Sequence, residues 1–413
     1  MKSILVACIG IVVVAAGCKN NELLPTQLPI NEYQQSKISW PSLKDTPWPM
    51  YRHDPQFTGR SQFPGPVKGV VFRLIDISPA KQIYGNISLF DDTTLISTVS
   101  FDTSANVYAM NFSGVKQWTQ KAGTINYSGK NYSTPTIGAD GSIFIMNVDG
   151  IFKLKNNESV PLVQQISSTG FVVQIGNDGT LYCLDKTGSL YAVSQDGTIA
   201  WNLQNSDFNW GAISNLAFSP DGKTLYLMGL RNSAIIAVDI NSKSIKWKYH
   251  GSIQTTSGPM VDAQGNVYFL QRSVSPSSLT AKDSIISLTQ NGTLRWGYEF
   301  VQHYTYNLEP TIDNEGNIYV AMDTLFSFTN NGKLRWKFPL GDSEKNYSPL
   351  VCDANGTIFL GTTQQNIYAV SNSGKQLWKL HITGINGFGN SPTVINRKLI
   401  FPTDLDDKIV VVE

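Results

Sequence analysis

Four histidines, His53, His250, His303 and His381, and four cysteines, Cys8, Cys18, Cys183 and Cys352, are the residues best suited to ligate a metal or to act as acid, base or nucleophile. The histidines fall in four different regions, and neither a His-x-x-x-His nor a Cys-x-x-Cys spacing brings two donors together, so no metal site and no catalytic residue is expected. No Gly-x-Ser-x-Gly elbow, Walker loop or EF-hand spacing occurs either. The densest chemistry is instead a set of aromatic and polar residues in turn segments: Tyr132, Trp210, His303, Tyr304, Tyr306, Glu309, Tyr347 and Phe388, with asparagines beside most of them. An amphipathic ring stacks on an apolar face while its rim hydrogen-bonds, which suits a glycan, a peptide or a small solute. Arg231 and Arg272 would add a charged clamp to such a site. The same aromatics, standing just before strands, can also plug a channel or pack between sheets.

The elements that must hold these turns repeat. Five times a glycine is followed four residues later by tryptophan, ending at Trp118, Trp201, Trp296, Trp336 and Trp378, and Trp247 follows Lys243 in the same frame. The tryptophans are separated by 83, 46, 49, 40 and 42 residues, so one unit between Trp118 and Trp201 lacks its tryptophan, and the segment from Ile151 to Val163 fills that gap. A period near 42 belongs to a supersecondary unit that buries its apolar face only by stacking on copies of itself. Each unit reads as four strands: one after a small-Pro opening such as Ser348-Pro349, a tight turn such as Asp221-Gly222 or Asn355-Gly356, a β-branched strand, a Tyr-Ala-Val run, and the strand that carries the tryptophan. Tryptophans this regular are expected to dock one unit on the next.

Four-stranded units repeated around a ring make a β-propeller. Seven units can be counted from the tryptophans and the gap, and the tail from Ser391 to Glu413 supplies three more strands. The fourth is expected from Gly69 to Ile75 near the N-terminus. The fold expected is therefore all-β: an eight-bladed propeller of four-stranded antiparallel blades, over residues 48–413, its last blade closed by strands from both termini so that no long edge is left open.

The Tyr-Ala-Val, Asn/Asp-Gly and Trp pattern, with the opening Trp48-Pro49-Met50-Tyr51-Arg52-His53-Asp54, resembles the PQQ-type propellers, a superfamily that includes quinoprotein alcohol dehydrogenases and the outer-membrane assembly lipoproteins similar to BamB. The resemblance extends from Trp48 to Glu413. It implies either a non-catalytic scaffold for envelope proteins or, less well matched, an oxidoreductase holding PQQ with calcium. The adjacent cysteine pair that abuts the quinone in those enzymes has no counterpart here, so no cofactor is expected. One fold hosts many activities, and a receptor or sensor using the aromatic mouth is the alternative.

Lys2 is followed by an apolar stretch from Ile4 to Ala16 and by Ala15-Ala16-Gly17-Cys18, which resembles a bacterial lipobox. Residues 1–17 thus read as a lipoprotein signal peptide, Cys18 as the acylated anchor, and residues 18–47 as that anchor and a flexible tether. The expected location is the cell envelope, at the outer membrane by the lysine that follows Cys18, with the membrane itself as one partner through the anchor. Loss of residues 1–17 removes only Lys2 of the 32 basic residues, leaving 31 against 31 acidic ones. Such a balance gives no field to gather nucleic acid. Cys183 and Cys352 fall in the third and seventh units, too far apart to pair, and read as small buried groups.

Overall fold

In the computed structural model the recurring apolar runs form antiparallel strands that assemble into eight sheets arranged in a ring, an all-β propeller. The structure describes residues 32–413 apart from 84, 102, 125–132, 157, 167–171, 209–214, 230–232, 252–253, 256, 275–280, 301–308 and 404–405. Blades one to seven span 82–124, 136–163, 174–204, 216–250, 254–299, 311–339 and 351–381. The eighth joins Thr393–Ile395, Lys398–Pro402 and Lys408–Val412 to Val71–Asp76, with Val71 opposite Val412 and Ile75 opposite Ile409. Closure by strands from both ends of the chain is thus observed. In blades one and five the innermost strand is split into two short pieces.

Local sequence explains the shape of each blade. The six tryptophans Trp118, Trp201, Trp247, Trp296, Trp336 and Trp378 stand opposite Ala109, Ala192, Ala237, Ser287, Ser327 and Ala369, and a bulge follows each pair. The small residue in every Tyr-Ala-Val run is therefore the cross-strand partner of an indole, and the bulge adds the twist that a propeller blade needs. In blades three and six the two inner strands are buried throughout, whereas the outermost strands mix exposed and half-buried residues.

The indoles also join neighbouring blades. Trp247, Trp296, Trp336 and Trp378 donate their Nε1–H to the carbonyls of Gln290 (3.0 Å), Asn330 (2.7 Å), Asn372 (2.9 Å) and Pro66 (3.1 Å), each just before the outermost strand of the following blade. The turn glycine there is indispensable. At Gly332 the backbone has φ of 86° and a Cβ would stand 2.6 Å from the Trp296 ring. Blades two and eight have no tryptophan, and Leu162 and Ile75 take its place against Gly197 and Gly114.

The packed unit reaches back to Tyr33, earlier than the boundary expected at Trp48. Trp40 and Leu43 are buried, and the Trp40 indole donates to the Ile175 carbonyl at 2.7 Å. From there the chain runs along the inner rim of the ring and bonds to the innermost strands. The amides of Leu89, Ile137, Phe218, Val261 and Cys352 donate to the carbonyls of Trp48, Pro49, Pro55, Gln56 and Gly59 at 2.8 to 2.9 Å. Thr311 Oγ1 donates to Thr58 O, and Ser61 Oγ donates to Val394 O in blade eight. With the Trp40 bond to blade three, residues 40–61 touch all eight blades. Inner-strand groups that face a channel would otherwise be left to water, and this segment satisfies them.

Candidate functional site

Six of the ten residues expected at the aromatic mouth, Tyr132, Trp210, Arg231, His303, Tyr304 and Tyr306, lie outside the described residues. The other four are placed. Arg272 pairs across its own hairpin with Asp283, Nε to Oδ1 at 2.9 Å, so its charge is already matched. Tyr347 is half-buried, and its amide donates to the Gly361 carbonyl at 2.9 Å. Phe388 is fully buried, its ring 4.5 Å from that of Phe401 in blade eight, and is core rather than mouth. Glu309, only 7 % exposed, is likewise withdrawn from the mouth by partners that the sequence reading did not anticipate.

Those partners come from the rim segment. Arg52 is held at φ of 58° with its side chain wholly buried, and it donates through its two terminal nitrogens to the carbonyls of Leu350 and Pro310. Its Nε lies 3.4 Å from Glu309 Oε2. The Tyr51 hydroxyl donates to the same carboxylate at 2.7 Å, and Asn215 Nδ2 donates to the other oxygen at 2.5 Å. Burial raises the Glu309 carboxyl above its ordinary value, and Arg52, Tyr51 and Asn215 act against that rise. A Cβ on Gly59 would fall 2.5 Å from the Arg52 guanidinium, so glycine leaves room for the cation. The cluster joins blades four, six and seven to the rim segment, which makes it a structural clamp.

Between the rim segment and the first-to-second strand turns lies a cavity of about 760 Å³, lined among others by Trp40, His53, Asp54, Gln56, Arg60 and Ala263. His53, at φ of 77°, places Nδ1 at 3.3 Å from Asp54 Oδ2. Burial would raise the Asp54 carboxyl, but His53 and the hydroxyl and amide of Thr58 hold it below the usual range. Arg60 donates to Asn314 Oδ1 and to the Ser36 carbonyl, both at 3.0 Å. His53, Asp54 and Arg60 are thus each engaged by neighbours from the same fold. The cavity's signal in the sequence is the pair of apolar residues Trp40 and Leu43 within 18–47, the stretch expected to be tether.

The adjacent cysteine pair against which the quinone of the family resemblance would lie is absent from the chain. Cys183 and Cys352 are buried thiols in blades three and seven, each pushed up by desolvation, and neither has a neighbouring cysteine in the chain. The buried carboxylate Glu309 is enclosed by its own partners. Among the described residues no group of three His, Cys, Asp or Glu side chains is placed to hold a metal ion.

Solved structures with this architecture include a europium-containing methanol dehydrogenase, 13 % identical with a TM-score of 0.58 over 87 % of this chain and 89 % of that one. They also include BamB from Moraxella catarrhalis, 14 % identical with a TM-score of 0.55 over 84 % of this chain and 97 % of that one. At such identity both likenesses speak to the fold alone. No curated protein sequence matches the chain. The family model for the outer membrane protein assembly factor BamB matches residues 102–326, more than half of the chain, and the chain therefore belongs to the BamB family of PQQ-like propellers.

Proposed function

We propose that this protein is a non-catalytic scaffold of the cell envelope, anchored by lipid on Cys18 and holding other envelope proteins on its propeller. The observation that carries the reading is the chemical state of the described interior. The buried carboxylate Glu309, the cation Arg52 and both thiols are committed to packing and internal pairing, and a rim segment bonds to every blade. Such an interior favours rigidity over turnover, and a rigid ring with free outer edges is suited to present surfaces. Family membership supports the same direction.

The test is to isolate the acylated protein from its native envelope after mild crosslinking and identify what accompanies it. Recovery of an outer-membrane assembly protein, lost when Cys18 is changed to Ser, is the expected result. A preparation free of protein partners overturns the reading. A receptor for a glycan, peptide or small solute is the second reading, favoured by the 760 Å³ cavity beside Trp40, whose size suits a small ligand. Saturable binding of a glycan or peptide that Trp40→Ala abolishes would establish it.

A further inference from the structure

Nine large apolar side chains are strongly exposed among the described residues, and five of them fall between Val67 and Leu74: Val67, Val70, Val71, Phe72 and Leu74. They belong to the strand Val71–Asp76 and its approach, the outermost strand of the closing blade. The outermost strands of the other seven blades expose at most one such side chain each, Val160, Leu294 or Leu377. Val115, in the turn where Gly114 meets Ile75, extends the patch toward blade one. Phe72 is 47 % exposed and Val67 71 %, in a chain whose other outer edges carry charged or amide groups.

Two further facts identify what would cover it. One edge of Val71–Asp76 pairs with Lys408–Val412, and among the described residues no strand pairs with the other, so backbone donors and acceptors face outward in a row. Lys68 and Arg73, both exposed and set among the apolar residues, make no ion pair or hydrogen bond among the described residues. The neighbouring charges are different: Lys398 pairs with Glu413, and Lys408 with Asp407 at 2.7 Å. A free strand edge, apolar side chains and two unmatched cations together ask for an extended segment that carries apolar residues and carboxylates.

We infer that the outer edge of Val71–Asp76 is a docking site for an extended, acidic and apolar strand of a partner protein, which adds to blade eight as a fifth strand. Backbone hydrogen bonds give such strand addition its affinity, and side-chain pairs give its selectivity. Edge strands that stay monomeric are normally blunted by charge, and this one is the least blunted of the eight. The inference rests on the scaffold reading and names the surface through which the scaffold works.

The test uses the mature chain and three synthetic probes: a peptide alternating valine with glutamate, its lysine counterpart, and the glutamate peptide N-methylated at alternate residues. With the glutamate peptide, hydrogen exchange over 70–76 is expected to slow. The lysine peptide is expected to bind about fivefold or more weakly, as like charges face each other across strands, and the methylated peptide to give no protection. Arg73→Glu is expected to reverse the preference between glutamate and lysine peptides while leaving the melting temperature unchanged, because the side chain is exposed. Phe72→Lys is expected to weaken both. Equal binding of the two peptides, insensitivity to methylation, or protection confined to other blades overturns the inference. So does sedimentation of the free chain as a dimer that Phe72→Lys disperses, or flotation with anionic vesicles, since these assign the patch to a second copy or a bilayer. If Arg73→Glu leaves envelope partners fully recovered by crosslinking, this site falls and the scaffold reading stands.

Discussion

Replacing Arg52 by Met removes the cation from a carboxylate that is 7 % exposed and from two inner-strand carbonyls, while filling most of the volume left behind. Glu309 then keeps only the hydrogen bonds from Tyr51 at 2.7 Å and Asn215 at 2.5 Å. Leaving one partner of a buried ion pair uncompensated costs about 3 to 5 kcal/mol. Glu309→Leu alone strands the guanidinium by the same logic. The double variant Arg52→Met with Glu309→Leu removes both charges, and its loss is expected to fall short of the sum of the singles by about 2 kcal/mol or more. Urea unfolding of the four proteins measures this coupling, and limited proteolysis of 33–66 reports whether the rim segment loosens.

The pH dependence gives an independent check with a definite sign. The folded-state carboxyl of Glu309 is raised above its ordinary 4.5, so the folded protein takes up its proton first as pH falls. Arg52→Met raises it further, and its deficit relative to wild type is expected to shrink as pH falls from neutrality toward 4.5. A deficit below about 1 kcal/mol, strict additivity in the double variant, or a deficit that grows on acidification would refute the clamp.

Trp378 is the most buried of the six repeat tryptophans at 8 % exposed, lying on Gly69 and bonded to the Pro66 carbonyl. Trp378→Ala is expected to cost about 3 to 5 kcal/mol by urea unfolding, and the half-buried Trp336→Ala less. Asp140 is lowered to about 2: burial opposes the shift, and Lys155 at 2.6 Å with the Ser142 amide and hydroxyl produces it. Its contribution is present above an ordinary 3.8 and is lost as pH falls toward 2, so Asp140→Asn should cost up to about 1 kcal/mol at neutral pH, after solvent screening, and nothing near pH 2. Cys18→Ser should abolish metabolic labelling with palmitate and release the protein from the membrane fraction, and continued labelling would reject the anchor.

The repeat of glycine, small residue and tryptophan was enough to infer eight blades and closure by both termini, because each blade is built from contacts within about forty residues. Turn glycines, the alanine or serine opposite each indole, and the missing tryptophan of blade two are all local choices that leave a mark on the chain. The course of residues 33–66 left a weaker mark. Its apolar residues, Trp40 and Tyr51 among them, have partners in Ile175 and Glu309 that no spacing connects to them. For the same reason Glu309 and Phe388 read as mouth residues from their neighbours in sequence, while ring closure turns one to Arg52 and the other to Phe401. What the chain determined by itself was the repeating unit and the number of copies. Which side chains face the axis, which carboxylate meets which cation, and which of eight outer edges stays apolar were decided only when the ring closed and brought residues hundreds apart into contact.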